Sequence, residues 1–144
     1  MKKVVFSLGL VISLSVAGQP HTPMTPEQKA LQKTMKTLAK GLTRIQYGIL
    51  YNDRDELLAG VRMIKRTEDG FLTRHGEALK KYMPENPKFA VSLAKLSEKN
   101  IERYIRMMRS DIFSKNDYSR ITAGYNHIMQ ECVGCHQKLR KWKW

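Results

Sequence analysis

Ile121, Tyr125, Ile128, Cys132, Cys135, Leu139 and Trp142 recur at alternating spacings of four and three residues without a break. That interval follows one side of an α-helix. It predicts an amphipathic helix over about residues 118–142 whose apolar side must be covered by other elements. Both cysteines of the 144-residue chain lie on this seam. The chain has no run with the β-branched, alternate-residue pattern of a strand, so the cover has to be helical.

Three further segments supply it. The first opens at Thr25-Pro26-Glu27-Gln28, where Thr25 suits an N-cap, Pro26 the first helical position and Gln28 the far side of a capping box. Its seam is Leu31, Met35, Leu38, Leu42, Ile45 and Ile49, and it ends near Tyr51-Asn52. The second starts at Asp53 with Glu56 three residues on. It carries Leu57, Val61, Ile64 and Phe71, with Leu58 and Leu72 beside them, and Gly76 after His75 reads as its stop. One or two further turns are expected over 77–84. The third begins at Asn86-Pro87, with Phe89, Leu93, Leu96, Ile101, Ile105, Met108 and Ile112 expected inside and a loop over 114–117. Four amphipathic helices with short links predict an all-α, up-down-up-down antiparallel four-helix bundle over residues 25–144.

The N-terminus reads differently. Met1-Lys2-Lys3 is a basic start, residues 4–16 are almost wholly apolar, and Ser15-Val16-Ala17 offers small residues for a peptidase. This is the pattern of a secretory signal over 1–17, followed by a leader over 18–24 that holds Pro20 and Pro23. The apolar run is shorter than the roughly 20 residues that span a bilayer. Cleavage after Ala17 removes Lys2 and Lys3, so the formal charge falls from +13 to +11. The expectation is an exported, periplasmic protein without a stable membrane span. An excess of this size favours an acidic partner. Export, and the lack of a basic run interleaved with aromatics, argue against nucleic acid.

Cys132-Val133-Gly134-Cys135-His136 is the C-x-x-C-H pattern of covalent haem c attachment. Two thiols three residues apart on a helix share a face, and each can add to a vinyl group of the ring. His136 is four residues beyond Cys132 and projects on the same side, where its imidazole can reach the iron. A disulfide oxidoreductase also uses C-x-x-C, but at a helix N-terminus after a strand, where the thiol pKa is lowered. Here the pair lies deep in the last helix. A structural zinc site needs about four ligands, and His21, His75 and His127 do not supply a second cluster.

With this motif close to the C-terminus, the chain resembles the class II c-type cytochromes, the cytochrome c prime family, over nearly the whole mature region. The resemblance rests on the motif's position, on its continuation through Leu139-Arg140, and on Lys33-Thr34-Met35-Lys36 in the first helix, where the family places its distal haem residue. It implies one covalent haem c, with iron held by His136 on the proximal side. Members with Leu or Phe at the distal position are five-coordinate and bind gases such as nitric oxide or carbon monoxide. Members with Met are six-coordinate electron carriers. By spacing alone Met35 is a seam residue like Leu31 and Leu38. The resemblance makes it the distal ligand, and thioether with imidazole is a common cytochrome axial pair. Some members carry an Arg one turn earlier, beside a haem propionate. Here that position is Leu31, which leaves Lys36 or Arg140 for the propionates. Homodimers are common in the family.

His127 is expected at a helix flank and His75 at a helix end. Met63, Met107, Met108 and Met129 are expected as packing or surface residues, Tyr125 and Trp142 as pocket wall, and Trp144 at the bundle's end. No Ser/His/Asp or paired-carboxylate arrangement points to an enzyme. The expected function is an electron carrier with Cys132, Cys135, His136 and Met35 at the haem and an acidic redox partner. The alternative is a gas-binding haem protein in which Met35 only lines the pocket.

Overall fold

The computed structural model describes residues 24–68, 86–114 and 117–140. These form four helices and no strand: α1 (Pro26–Tyr51), α2 (Arg54–Glu68), α3 (Pro87–Ser114) and α4 (Tyr118–Arg140). The signal and the leader up to residue 23, the segment 69–85 with Phe71, Leu72 and His75, and the terminal tryptophans lie outside the described residues.

Short polar side chains start every helix. Thr25 accepts from the Gln28 backbone N–H at 3.3 Å, while its own N–H donates to the Gln28 side chain at 2.8 Å, so the capping box is complete. Asp53 accepts from the backbone N–H groups of Asp55 and Glu56, both at 3.0 Å, and Asn86 accepts from that of Phe89 at 3.1 Å. Asp117, at the end of the loop expected over 114–117, accepts from the Arg120 backbone N–H at 3.2 Å and caps α4. Asn52 ends α1 in the left-handed region (φ 54°, ψ 39°), which asparagine tolerates.

The paired positions run in opposite directions along each hairpin. In the first, Gly48 meets Leu57, Ile45 meets Gly60, and Gly41 meets Ile64. Arg44 donates twice to Glu56, Nε to Oε2 and Nη2 to Oε1, both at 2.7 Å. In the second, Arg120 Nε lies 3.0 Å from the buried Asp111 carboxylate, Tyr104 stacks on His127, and Asn100 Nδ2 donates to Glu131 at 2.8 Å. The pairs α2 with α3 and α1 with α4 also pack, which closes an antiparallel four-helix bundle. Among the described residues no helix is long and apolar enough to cross a membrane.

The main core joins Leu38, Ile45, Leu57, Val61, Ile64, Ile101, Ile105, Met108, Ile112, Ile121 and Ile128, all predicted seam positions. The predicted seam of α3 fails at Phe89 and Leu96, while Leu93 packs against buried residues. Phe89 is 40% exposed and Leu96 57% exposed, while Ala90, Ala94, Ser97 and Glu98 face inward. From Leu96 to Ile101 is a step of five, which no single helix face accommodates. The true inner line runs Ala90, Ala94, Ser97, Ile101, Ile105. Small side chains hold the phase there, and the larger ones on the wrong phase stay at the surface.

Candidate functional site

Cys132 and Cys135 lie in the last turns of α4, both half-buried. They belong to different apolar surroundings. Cys132 packs against the main core, whereas Cys135 packs against a second cluster of Leu31 from α1 with Ala90 and Ala94 from α3. Met35 packs against both clusters, and Leu93 borders the second. The antiparallel order places the start of α1, the start of α3 and the end of α4 at one end of the bundle. Met35 and the cysteine pair therefore lie at the same end of the bundle, about 100 residues apart in the chain.

Within the motif, Val133, Gly134 and His136 are also half-buried. A Cβ built on Gly134 would meet nothing within 4 Å, so the backbone between the two cysteines is open on that side. Glu131, held by Asn100, precedes the motif and ties it to α3. Burial, and secondarily the Glu131 charge, push the Cys135 thiol above its ordinary range. That is opposite to the lowered pKa of a redox-active C-x-x-C thiol.

Among the described residues no group of three or more His, Cys, Asp and Glu side chains could hold a metal ion, so they offer no cage of the structural zinc kind. A haem c site makes a different demand: two thiols on one helical face, one imidazole, and apolar contact around them. The described residues fit it, with Cys132 and Cys135 on the bundle side of α4, His136 beside them, and Leu31, Ala90, Leu93 and Ala94 around Cys135 and Met35.

The other sequence candidates separate from this end. His127 is exposed and stacked on Tyr104, with ring centroids 4.6 Å apart and planes 8° from parallel, as expected of a helix flank. Met108 is core, Met63 and Met107 are half-buried, and Met129 is 36% exposed. Tyr125 packs against the main core. Lys36 is exposed next to Met35 in sequence, and the Arg140 side chain lies outside the described residues. The sequence reading missed Ala90 and Ala94. The five-residue step on α3 was the signal that could have found them. Two clefts are lined by α2 with α3 and by α1 with α2, away from the cysteine pair.

No family model, no curated protein and no solved structure matches the chain.

Proposed function

We propose that the chain is an exported, periplasmic monohaem c-type cytochrome that carries electrons, with haem bound through thioethers at Cys132 and Cys135 and iron held by His136 and Met35. The observation that carries this reading is the packing of Met35 and Cys135 against one apolar cluster, beside a C-x-x-C-H motif whose thiols both face the bundle. When bound, the haem iron supplies a one-electron ferric–ferrous couple. The chain's own groups do the rest. Cys132 and Cys135 hold the ring covalently, so it cannot dissociate. The His136 imidazole provides a nitrogen donor. The Met35 thioether would provide a soft donor that does not titrate, which would raise the potential and keep small ligands off the iron. Leu31, Ala90, Leu93 and Ala94 would give the ring an apolar border at that end, and an apolar shell tunes both potential and access.

The chain's basic excess favours an acidic redox partner, approached by electrostatic steering. The resemblance to the cytochrome c prime family belongs to the same proposal, with homodimer formation as its corollary.

An absorption spectrum of the exported protein, reduced with and without carbon monoxide, tests the reading. A narrow reduced α band unchanged by the gas is expected of the Met/His pair. A broad high-spin spectrum that sharpens with carbon monoxide would make Met35 a pocket wall and the protein a gas binder. The lack of a Soret band after expression with a haem-attachment system would overturn both.

A further inference from the structure

A cleft of about 360 Å³ opens between α2 and α3, on a stretch of the bundle that the cysteine motif does not reach. Leu58 and Val61, both buried, form its floor, and Phe113 forms one wall. Phe113 is 56% exposed, a large ring left at the surface with two arginines over it: Arg54 at 5.4 Å and Arg109 at 5.9 Å from its centroid. Among the described residues the rim is cationic, made by Arg62, Lys65, Arg66 and Arg109, and none of those that line it carries a carboxylate.

Three arginines elsewhere in the bundle are held by carboxylates. Arg44 is held by Glu56, Arg120 by Asp111 and Arg106 by Glu102. Among the described residues none of the four rim cations is paired with a carboxylate. Arg62 and Arg66 also border the neighbouring cleft toward α1, so their guanidinium groups stand between two concavities. Like charges gathered around apolar surface repel one another, and a bound anion relieves that repulsion. Arginine suits the task because its planar fork meets phosphate or carboxylate oxygens in pairs.

We propose that this cleft binds a monomeric amphiphilic anion: an apolar chain or ring against Leu58, Val61 and Phe113, and a phosphate or carboxylate head among Arg62, Lys65, Arg66 and Arg109. The volume lies at the lower end of the roughly 300–1,000 Å³ range of small-molecule sites. It is a concavity with an apolar floor and a charged rim, suited to a small amphiphile more than to a flat protein or bilayer surface. The proposal is independent of the haem reading, since no residue of the cleft belongs to that site.

Calorimetric titration of the purified chain with dodecyl phosphate, kept below its micelle concentration, tests this. The expected result is saturable one-to-one binding, with inorganic phosphate and neutral dodecyl maltoside each at least about tenfold weaker, because head and chain both contribute. Arg62→Gln with Arg66→Gln should weaken binding by more than about tenfold, since two charge-assisted contacts are lost. Arg103→Gln with Arg106→Gln removes the same charge from exposed positions elsewhere on α3 and should change little. Helical circular dichroism monitors folding. Should the first pair disturb it, Phe113→Ala provides the same test through the apolar wall. Equal weakening in both charge variants, inorganic phosphate binding as tightly as dodecyl phosphate, or binding only to vesicles of anionic phospholipid would each overturn the proposal.

Discussion

Gly41 of α1 and Gly60 of α2 lie backbone against backbone: a Cβ on Gly60 would sit 2.6 Å from the Gly41 carbonyl oxygen and 2.9 Å from the Ile45 nitrogen. Gly48 repeats the approach one step nearer the corner, where a Cβ would sit 2.6 Å from Leu57 Cγ and 2.7 Å from the Asp53 carbonyl oxygen. This close first hairpin presents Ile45, Leu57, Val61 and Ile64 to the other two helices.

Gly60→Ala should therefore destabilise the bundle. In an open helix the change would stabilise by about 1 kcal/mol through backbone entropy. Here the methyl meets backbone atoms that cannot turn aside, and overpacking of this kind costs about 1–3 kcal/mol. A net loss is expected in urea unfolding. A midpoint at or above the wild-type value would show that α1 and α2 are less closely packed than described.

The Arg44–Glu56 pair sets an acid dependence on the same hairpin. The hydrogen bonds from Arg44 hold the Glu56 carboxyl below its ordinary range, against a smaller opposing effect of desolvation. A carboxyl lowered on folding stabilises the native state above its unfolded pKa of about 4.3, and that contribution is lost as pH falls through the folded value. Glu56→Gln should melt below the wild type at neutral pH, and the gap should close as the medium is acidified below about pH 4. A gap that stays constant down to pH 2 would mean the pair is not what the substitution removes.

The proposed haem attachment rests on the two thiols. Cys132→Ala with Cys135→Ala should leave no haem stain on a denaturing gel, since the chain has no other cysteine. Much of the ordered structure at that end should go with it, because an apolar ligand lost from a core leaves a cavity. Haem stain surviving in the double variant would rule out thioether linkage.

Met35→Leu separates ligation from packing. The volume is nearly conserved, so the stability cost should stay below about 1.5 kcal/mol. The spectrum should nonetheless turn high-spin, carbon monoxide should bind, and the potential should fall. Met63→Leu, at a half-buried site on α2, should change none of these. A low-spin spectrum retained in Met35→Leu would place the sixth ligand elsewhere.

Four helices, their starts and the inward side of α4 were legible in the sequence because each rests on local chemistry. Thr25, Asp53 and Asn86 cap the helices they precede, and Ile121, Tyr125, Ile128, Cys132 and Cys135 keep one phase along α4. The placement of Met35 on the inner side of α1 was legible for the same reason. The inner side of early α3 was not, since it is carried by Ala90 and Ala94, and a reading weighted by side-chain size turns to Phe89 and Leu96 instead.

What the sequence by itself determined is the set of amphipathic helices and the motif Cys132-Val133-Gly134-Cys135-His136, because helical period and motif spacing act over a few residues. Only the tertiary structure decided which helices touch, that Gly41 and Gly60 bring α1 and α2 into backbone contact, and that Met35 shares a cluster with Cys135. It also decided that Arg62, Arg66 and Arg109 border one cleft. Those outcomes depend on the complementary shapes of whole helix faces, and pairing residues so far apart in the chain is decided by packing, which local spacing does not encode.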